Sequence, residues 1–418
     1  MTTNKYLHGV EFEEVAGNSA ITTGSTSIIG IVGDLVTDPA TAELPPLNTP
    51  FLVKSKQDMV GWVSGTLFDY CNEIFKQTSP TIVAIRVAGE ETNVEANVYA
   101  EGEAEDDTGE DTDEGTDDDT DPSNVVADAC AGDDIAKTGI FALENAASIV
   151  KVKPKLLVIP YYDQLSKGGI AITNMLLVAE RLRAIAIVSG PNTTDDEAIT
   201  FAESQDNSRM YIADPYYLST DSVGTEKLFC PTAMVAAMFA KTDEDYGFWC
   251  SPSNKTVVGI NSLNRPISFQ LSNPDTTANY LNEAGVSTLI YSESSKSFKL
   301  WGNRSSATNV NEVFISVRRT MDTIEDSIEV AMEEELDKPI TGETANQIQN
   351  KVQTYLNTLI SQGALLGGTC WVDQAENPVE QLKNGNLVIS FDCEPPAPME
   401  RLTFKVYRND GYYNEVFN

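Results

Sequence analysis

Short apolar runs and amphipathic stretches alternate through the first two thirds of the chain. Apolar runs predict buried strands, which we expect at 26–32, 81–87, 156–160, 184–189 and 209–213. Apolar residues at three- and four-residue spacing predict helices between them, over 66–76, 169–183, 195–205 and 231–241. Strands that are apolar on both faces and separated by helices are typical of a parallel sheet covered on both sides. We therefore expect an α/β domain over 22–265.

The clearest helical periodicity lies nearer the C-terminus. An alternating run at 313–317 predicts a strand, and an apolar stripe over 320–337 predicts an acidic helix that a proline ends. Thr344 followed by Gln347 has the form of a capping box, so a second helix is expected to begin there and to end at Gly363. The short connection between the two predicts an antiparallel helix pair.

A sheet is expected to cover the outer apolar edges of this helix pair. Two later segments alternate apolar with polar residues and predict strands with one buried face, formed by Leu387, Ile389, Phe391 and Cys393 in the first segment and by Leu402, Phe404 and Val406 in the second. These elements predict an α+β domain over 266–405. The fold class is therefore a multidomain chain that combines an α/β domain with an α+β domain.

The first 21 residues cannot form a core of their own. Their apolar residues are few and lie among charged residues and glycines. Such a segment is either a disordered end or an extended arm that pairs with a strand of another molecule.

Acidic residues dominate the charge of the chain, whose net charge is −35. Residues 90–121 carry 16 of the 63 acidic side chains and no basic one, so 89–132 is expected to be a solvated surface insertion. A chain this acidic is not expected to bind nucleic acid directly. Aspartates alternate within the insertion, but they lack the EF-hand spacing, so a solvated loop is favoured over a calcium site at Asp111, Asp113, Asp117, Asp119 and Asp121.

Candidate catalytic residues are few. The chain has a single histidine, His8, which lies outside the α/β region, and neither Ser189 nor Ser251 has the GxSxG context of a nucleophile. The acidic pair Asp195 and Asp196 and the run 333–335 are typical of solvated helix positions. No P-loop is present and the six cysteines lack zinc-ligand spacing, so no catalytic residue, cofactor or metal is predicted.

The cysteine spacing and the apolar run lengths also bear on the compartment. The scattered cysteines favour reduced thiols. The N-terminus lacks a signal-peptide pattern, and no run approaches ~18 apolar residues, so neither export nor membrane insertion is expected.

Several sequence blocks also carry a resemblance to a known family. They are YLHGVEFEE, STSIIGIVG, PLNTPFLV, GFWCSPSN, NRPISF, WGNR, SVRRTMDTIEDSI, DKPIT and GALLGGTCW. In this order they resemble the tail sheath proteins of contractile phages and phage-tail-like bacteriocins, over nearly the whole chain except 89–136. The resemblance implies an outer domain that is subtilisin-like but non-catalytic, and an inner domain that surrounds a tail tube.

The function implied by this resemblance is structural. The chain would polymerise around a tail tube and contract by rigid-body repacking, driving the tube through the target cell envelope. Its partners would be further copies of itself, the tail tube protein, and baseplate and tail terminator proteins. It would be made in the cytoplasm of a bacterial host and reside in the virion tail. A tailocin or another contractile injection system is an alternative to an infectious phage, and a subtilisin-like hydrolase is a remote one.

The resemblance also assigns candidate residues. Arms at 1–21 and 406–418 would exchange strands with neighbouring subunits, through Tyr6, Leu7, Val10 and Phe12 at the N-terminus and Tyr412, Tyr413, Val416 and Phe417 at the C-terminus. Either helix of the C-terminal pair is a candidate for the inner wall. In the acidic helix, Glu329 and Glu333 are the candidate tube contacts.

Overall fold

A nine-stranded sheet forms the centre of the molecule. The structure is a computed structural model that describes residues 20–89 and 122–416. The strands of the sheet are, in chain order, β1 (Ile29–Gly33), β3 (Phe51–Val53), β5 (Ile82–Arg86), β6 (Leu156–Val158), β7 (Ile185–Ser189), β8 (Met210–Ala213), β11 (Lys255–Thr256), β13 (Val286–Ser292) and β14 (Ser297–Trp301). Their spatial order is β11-β14-β13-β8-β7-β6-β1-β5-β3.

The middle of this sheet is parallel, as the apolar runs predict. Neighbouring strands from β13 to β5 pair in parallel, and β3, β14 and β11 pair antiparallel at the two sides. Every residue of β1 and β7 is buried, which explains why their sequences are apolar on both faces. The sheet includes β13 and β14, so it crosses the predicted domain boundary at residue 265.

Helices cover both faces of the sheet. One face packs against α2 (Pro122–Ala131), α4 (Ile170–Leu182), α5 (Asp195–Gln205) and α7 (Thr277–Glu283), with the short α3 (Ala146–Ile149) nearby. The opposite face packs against α1 (Thr66–Gln77) and α6 (Thr232–Tyr246). Smaller sheets combine β2 (Val36–Thr37) with β4 (Trp62–Ser64), and β9 (Tyr217–Thr220) with β10 (Glu226–Phe229) and β12 (Ile260–Leu263).

A smaller C-terminal unit packs beside this α/β body. It contains α8 (Ile315–Met332), α9 (Gly342–Gln362), β15 (Gly367–Trp371), α10 (Val379–Lys383) and β16 (Ser390–Glu394). Strands β15 and β16 form a two-stranded antiparallel sheet. The core between the helices and this sheet includes Ile324, Val352, Leu356 and Leu359. Gly363 ends α9 with φ +81°, the left-handed conformation that its position predicts.

The predicted strand at 313–317 is wrong, because α8 already begins at Ile315. The buried face of its first turns contains Ser316, Arg319, Thr320 and Thr323, so polar residues hide the helical period there. The apolar residues alone therefore show only the strand-like alternation at 313–317. The helix also ends earlier than predicted, at Met332, and a 3-10 turn follows over Glu333–Glu335.

The predicted capping box is also wrong. The N-cap of α9 is Thr341, whose side chain accepts a hydrogen bond from the backbone nitrogen of Thr344 at 3.1 Å. The amide of Gln347 contacts Glu343 instead of the cap. Thr341 and Thr344 both precede the apolar stripe of α9, and Thr341 is the one that caps the helix.

The second of the two predicted C-terminal strands is absent from the described residues. Leu402, Phe404 and Val406 are 63%, 79% and 87% exposed and belong to no strand. Their alternation is that of a strand, but none of the described strands pairs with them. A buried face therefore does not form within this molecule.

Candidate assembly surfaces

The two edges of the small C-terminal sheet differ. Helix α9 covers the outer edge of β15, where two of its glutamines replace a neighbouring strand. Gln353 accepts from the backbone nitrogen of Cys370 at 2.8 Å and donates to the carbonyl of Gly368 at 3.2 Å, and Gln349 donates to the carbonyl of Cys370 at 2.9 Å. Three backbone groups on this edge, the N–H and C=O of Cys370 and the C=O of Gly368, are therefore satisfied.

The outer edge of β16 has no such cover in the described part of the chain. Cys370 lies opposite Phe391, and Gly368 lies opposite Cys393. Because backbone groups alternate in direction along a strand, the N–H and C=O groups of Phe391 and Cys393 point away from β15. An open edge of this kind is a template for an added strand.

An apolar groove of about 380 Å³ lies beside this edge. It is lined by the ends of α8 and α9, the connection between them and the chain leading into β16. Most of its lining side chains are apolar: Ile328, Met332, Leu336, Pro339, Ile340, Ile348, Val352, Leu387, Ile389 and Phe391. Glu335, Asp337 and Lys338 of the helix connection also line it. A strand added to β16 would lay its inward-facing side chains over this groove.

The C-terminal segment after β16 is exposed almost throughout. Tyr412 and Tyr413 are 67% and 68% exposed, and Val416 is 63% exposed, within a 3-10 turn over Asp410–Glu415 and just after it. Phe417 lies outside the described residues. So do the four N-terminal candidates: Tyr6, Leu7, Val10 and Phe12.

A buried ion pair joins the C-terminal unit to the α/β body. Arg319 of α8 donates to both carboxylate oxygens of Asp243 of α6, at 2.8 and 2.6 Å, and each side chain is 5% exposed. The Arg319 guanidinium also donates to the carbonyl of Thr26 and lies 4.9 Å from the ring centre of Phe239. Thr26 in turn donates to Asp243 at 2.6 Å. One charged pair therefore connects three segments of the chain.

Further ion pairs extend this junction along α8. Asp322, 5% exposed, accepts from Arg209 at 2.8 Å and from Arg318 at 2.7 Å. One turn later, Asp326 pairs with Lys155 and accepts from Arg183 at 3.0 Å. Burial lowers the pKa of Lys155 to about 8, although the Asp326 carboxylate favours its charged form. Arg209, Lys155 and Arg183 of the body supply cations to Asp322 and Asp326 of α8, so the acidic face of this helix is partly neutralised within the molecule.

The two candidate tube contacts differ in their surroundings. The carboxylate of Glu329 pairs with Arg183 of the body, although its side chain remains 62% exposed. Glu333 is exposed in the 3-10 turn that follows α8. Glu333 is therefore more available to a partner than Glu329.

The candidate catalytic serines have structural surroundings. Ser189 is fully buried at the end of β7, and its hydroxyl donates to Asp163 at 2.7 Å. Burial raises the pKa of Asp163 to about 6, against the effect of the hydrogen bonds from Ser189. The hydroxyl of Ser251 accepts from the backbone nitrogen of Ser253. His8 lies outside the described residues.

The acidic pair at the start of α5 also has structural partners. Asp195 accepts from Arg265 at 2.8 Å, and Asp196 accepts from Tyr280 at 3.1 Å. Among residues 20–89 and 122–416, no group of three or more His, Cys, Asp or Glu side chains could hold a metal ion. No helix in these ranges is both long and apolar enough to cross a membrane. The five candidate calcium ligands lie outside the described residues.

Comparison with known proteins identifies the family. A family model of the phage tail sheath protein central domain matches residues 126–306, and one of the phage tail sheath C-terminal domain matches residues 313–409. A putative prophage major tail sheath protein of Pseudomonas aeruginosa (strain UCBPP-PA14) is 30% identical over 419 residues, which is 99% of each chain. The chain belongs to the contractile phage tail sheath family. The resemblance drawn from the sequence blocks is thereby confirmed.

The sheath protein has further relatives. The tail sheath protein of Escherichia phage P2 is 29% identical over 417 residues, covering 97% of this chain and 96% of that one. The contracted helical sheath of the anti-feeding prophage, solved by cryo-EM, has a TM-score of 0.66 at 17% identity over 97% of this chain and 100% of that chain. This similarity confirms the mixed, multidomain α and β architecture.

Sequence reasoning missed three features of the sheath protein's assembly surfaces. Gln349 and Gln353 are four residues apart on α9, a spacing that signals a shared face but not the strand edge it covers. The partners of Arg319 are distant in sequence, at Asp243 and Thr26, and no local pattern connects them. The third feature is the contact between Arg304 and Glu400. The sequence showed Arg304 only as a member of the WGNR block and gave no sign of its partner.

Proposed function

We propose that the chain is the structural subunit of a contractile tail sheath, which polymerises around a tail tube and contracts to drive that tube through a target cell envelope. One observation carries the proposal. The subunit has a sheet edge without a partner strand and, in the same described region, an exposed strand-like segment without a sheet. Each supplies what the other lacks, so two copies can complete one another.

The geometry supports strand donation at β16 and not at β15. Glutamine side chains already bond three backbone groups at the edge of β15, whereas the edge of β16 is open beside an apolar groove. Alternation places Leu402, Phe404 and Val406 on one side of an extended segment, where they could fill the groove of a neighbouring copy. The N-terminal arm would exchange a strand in the same manner, through Tyr6, Leu7, Val10 and Phe12.

The ion pairs of α8 support contraction by rigid-body repacking. They attach the C-terminal unit to the α/β body at several points, including a pair that is almost fully buried. Subunits joined through arms could then rotate and repack while each body keeps its shape. The free energy that drives contraction would be stored in the extended assembly, and we propose that the chain binds no nucleotide to supply it.

Finer features follow as part of the same proposal. The outer α/β domain would be a non-catalytic, subtilisin-like fold, and the chain would have no enzymatic activity and no cofactor. Its partners would be the tail tube protein, the baseplate proteins and the tail terminator protein, without direct nucleic-acid contact or membrane insertion. It would be synthesised in the bacterial host cytoplasm and assembled into the tail of a phage, a tailocin or another contractile injection system.

Negative-stain microscopy of the purified full-length protein tests the proposed function. We expect striated hollow cylinders, because strand donation between identical subunits produces an open lattice. A monodisperse globular particle at every concentration would contradict a sheath. In that case, peptide hydrolysis lost in Ser251→Ala would indicate a hydrolase, and a calcium-dependent change in melting would indicate a calcium-binding protein.

A second prediction concerns the tube contact, which we propose to include Glu329 and Glu333. We expect Glu333→Lys to reduce co-sedimentation of the tail tube with extended sheath about tenfold, because it reverses an exposed charge with no described partner. Glu203→Lys, at an exposed position of α5 in the α/β body, is the matched control, because it lies on neither helix of the C-terminal pair. Equal tube binding by Glu333→Lys and the wild type would rule out this contact. Glu329→Lys is less informative, since it also breaks the pair with Arg183.

A further inference from the structure

The C-terminal segment is tethered to the body at one point. The guanidinium of Arg304 donates to both carboxylate oxygens of Glu400, with Nε to Oε1 at 2.7 Å and Nη2 to Oε2 at 2.7 Å. Such a two-bond fork fixes orientation as well as distance. In the part of the chain that the structure describes, it is the one hydrogen-bonded or ionic contact between residues 395–408 and the rest of the molecule.

The anchor on the body side is well braced. Arg304 forms an antiparallel bridge with Phe314, and both neighbours of Arg304 are held by backbone bonds. Ser305 donates to the carbonyl of Val313 at 2.7 Å, and Ile315 donates to the carbonyl of Asn303 at 3.2 Å. A guanidinium held on such a loop can direct the chain that it binds.

The position of the tether along the segment is also informative. Strand β16 ends at Glu394, and the exposed alternation begins at Leu402, so the tether at Glu400 separates the two. The intervening residues include Pro395, Pro396 and Pro398, whose fixed φ angles limit the paths that the backbone can take between the strand and the tether. Beyond the tether, residues 401–416 could span roughly 50 Å when extended, which is enough to reach another subunit.

An untethered segment would have a closer partner than a neighbouring subunit. A six-residue connection is long enough for a hairpin, so residues 401–407 could turn back onto the open edge of their own β16. That pairing is intramolecular, so the segment would meet its own edge without depending on the protein concentration, by whatever turn the proline-containing connection allows. A subunit closed in this way would have neither a free edge nor a free strand.

We propose that the Arg304–Glu400 pair is a latch that keeps the C-terminal segment from closing its own β16 edge, so that the segment stays available to a second copy. This inference rests on the proposed strand donation. Arg304 is thus a positioning residue for assembly: it acts on the path of the segment and does not itself contact the partner. The pair is about one third exposed on each side, so it can hold the chain without burying a charge.

Hydrogen exchange on the dilute, full-length subunit tests the latch. In Arg304→Gln and in Glu400→Gln we expect the amides of Phe391 and Cys393 to exchange at least about tenfold more slowly than in the wild type, because a self-paired strand protects them. The yield of polymer at a fixed protein concentration should fall about fivefold. Combining Arg304→Glu with Glu400→Arg should restore both values.

A matched control separates the latch from a general loss of surface charge. Arg181→Gln removes a comparable exposed guanidinium, which pairs with Asp134 on the body, and should leave exchange and polymer yield unchanged. Unchanged exchange at β16 in both latch variants would overturn the inference, whatever the polymer yield. Normal polymerisation after deletion of 401–418 would instead refute strand donation. The hydrogen-exchange result would still show whether the Arg304–Glu400 pair prevents the segment from pairing with its own β16.

Discussion

Deleting residues 401–418 is expected to leave a folded subunit that no longer polymerises. The deleted residues contribute no strand to any described sheet, and residues 401–413 are all exposed. The core of the C-terminal unit should therefore keep its stability, with a change in the free energy of unfolding below about 1 kcal/mol. Assembly should be lost entirely, because the β16 edge of every neighbouring copy would remain without a strand. Sedimentation and negative-stain microscopy measure the polymer, and urea unfolding measures the fold.

A substitution control distinguishes lost side-chain packing from lost length. Replacing Leu402, Phe404 and Val406 together by serine keeps the backbone and its hydrogen-bonding groups but removes the apolar face that should cover the groove. We expect this variant to polymerise as poorly as the deletion. The matched control replaces Thr403 and Lys405 by serine as well. These two residues point to the opposite side of an extended segment, so this variant should polymerise normally. Cylinders formed by the deletion variant would contradict strand donation by this segment.

Replacing Arg319 by alanine should destabilise the subunit by about 3–5 kcal/mol, since it leaves the Asp243 carboxylate buried without its partner. The loss also removes the bond to the carbonyl of Thr26 and the contact with the Phe239 ring. The effect is expected to spread, because these groups belong to the linker before β1, to α6 and to α8. Urea unfolding followed by tryptophan fluorescence provides the measurement.

Two further variants make this second result specific. Arg181→Ala removes an exposed arginine with two carboxylate partners and should cost less than about 1 kcal/mol, since water replaces the lost contacts. Combining Arg319→Met with Asp243→Leu removes both charges and should recover most of the stability. A cost for Arg319→Ala no larger than that for Arg181→Ala would show that the pair is not a structural junction.

Much of the α/β body could be predicted from the sequence. The helix over Asp195–Gln205 has the predicted bounds, and the strands β5 and β7 lie within one residue of theirs. These elements have uniform environments, because a buried parallel strand is apolar on both faces and its covering helix carries one apolar stripe. The local pattern therefore contained the needed information.

The start of α8 could not be predicted in the same manner. Its buried face is formed by hydroxyls and by charges that are neutralised across the junction, as with Arg319 and Asp322. A buried charge is tolerated only where its partner is present. Since Asp243 lies on α6 and Arg209 lies just before β8, the presence of these partners is a tertiary fact that apolar spacing does not reveal.

The sequence by itself determined the family, the parallel core and the strand-like character of residues 402–406, because alternation and burial-prone side chains are properties of the local chain. Only the tertiary structure decided that β15 has its edge covered by Gln349 and Gln353, that β16 does not, and that Glu400 is held by Arg304. The physical reason is that an unpaired backbone group is defined by what lies beside it in space. Local sequence specifies a strand, whereas the surrounding fold determines which edge remains open for another copy.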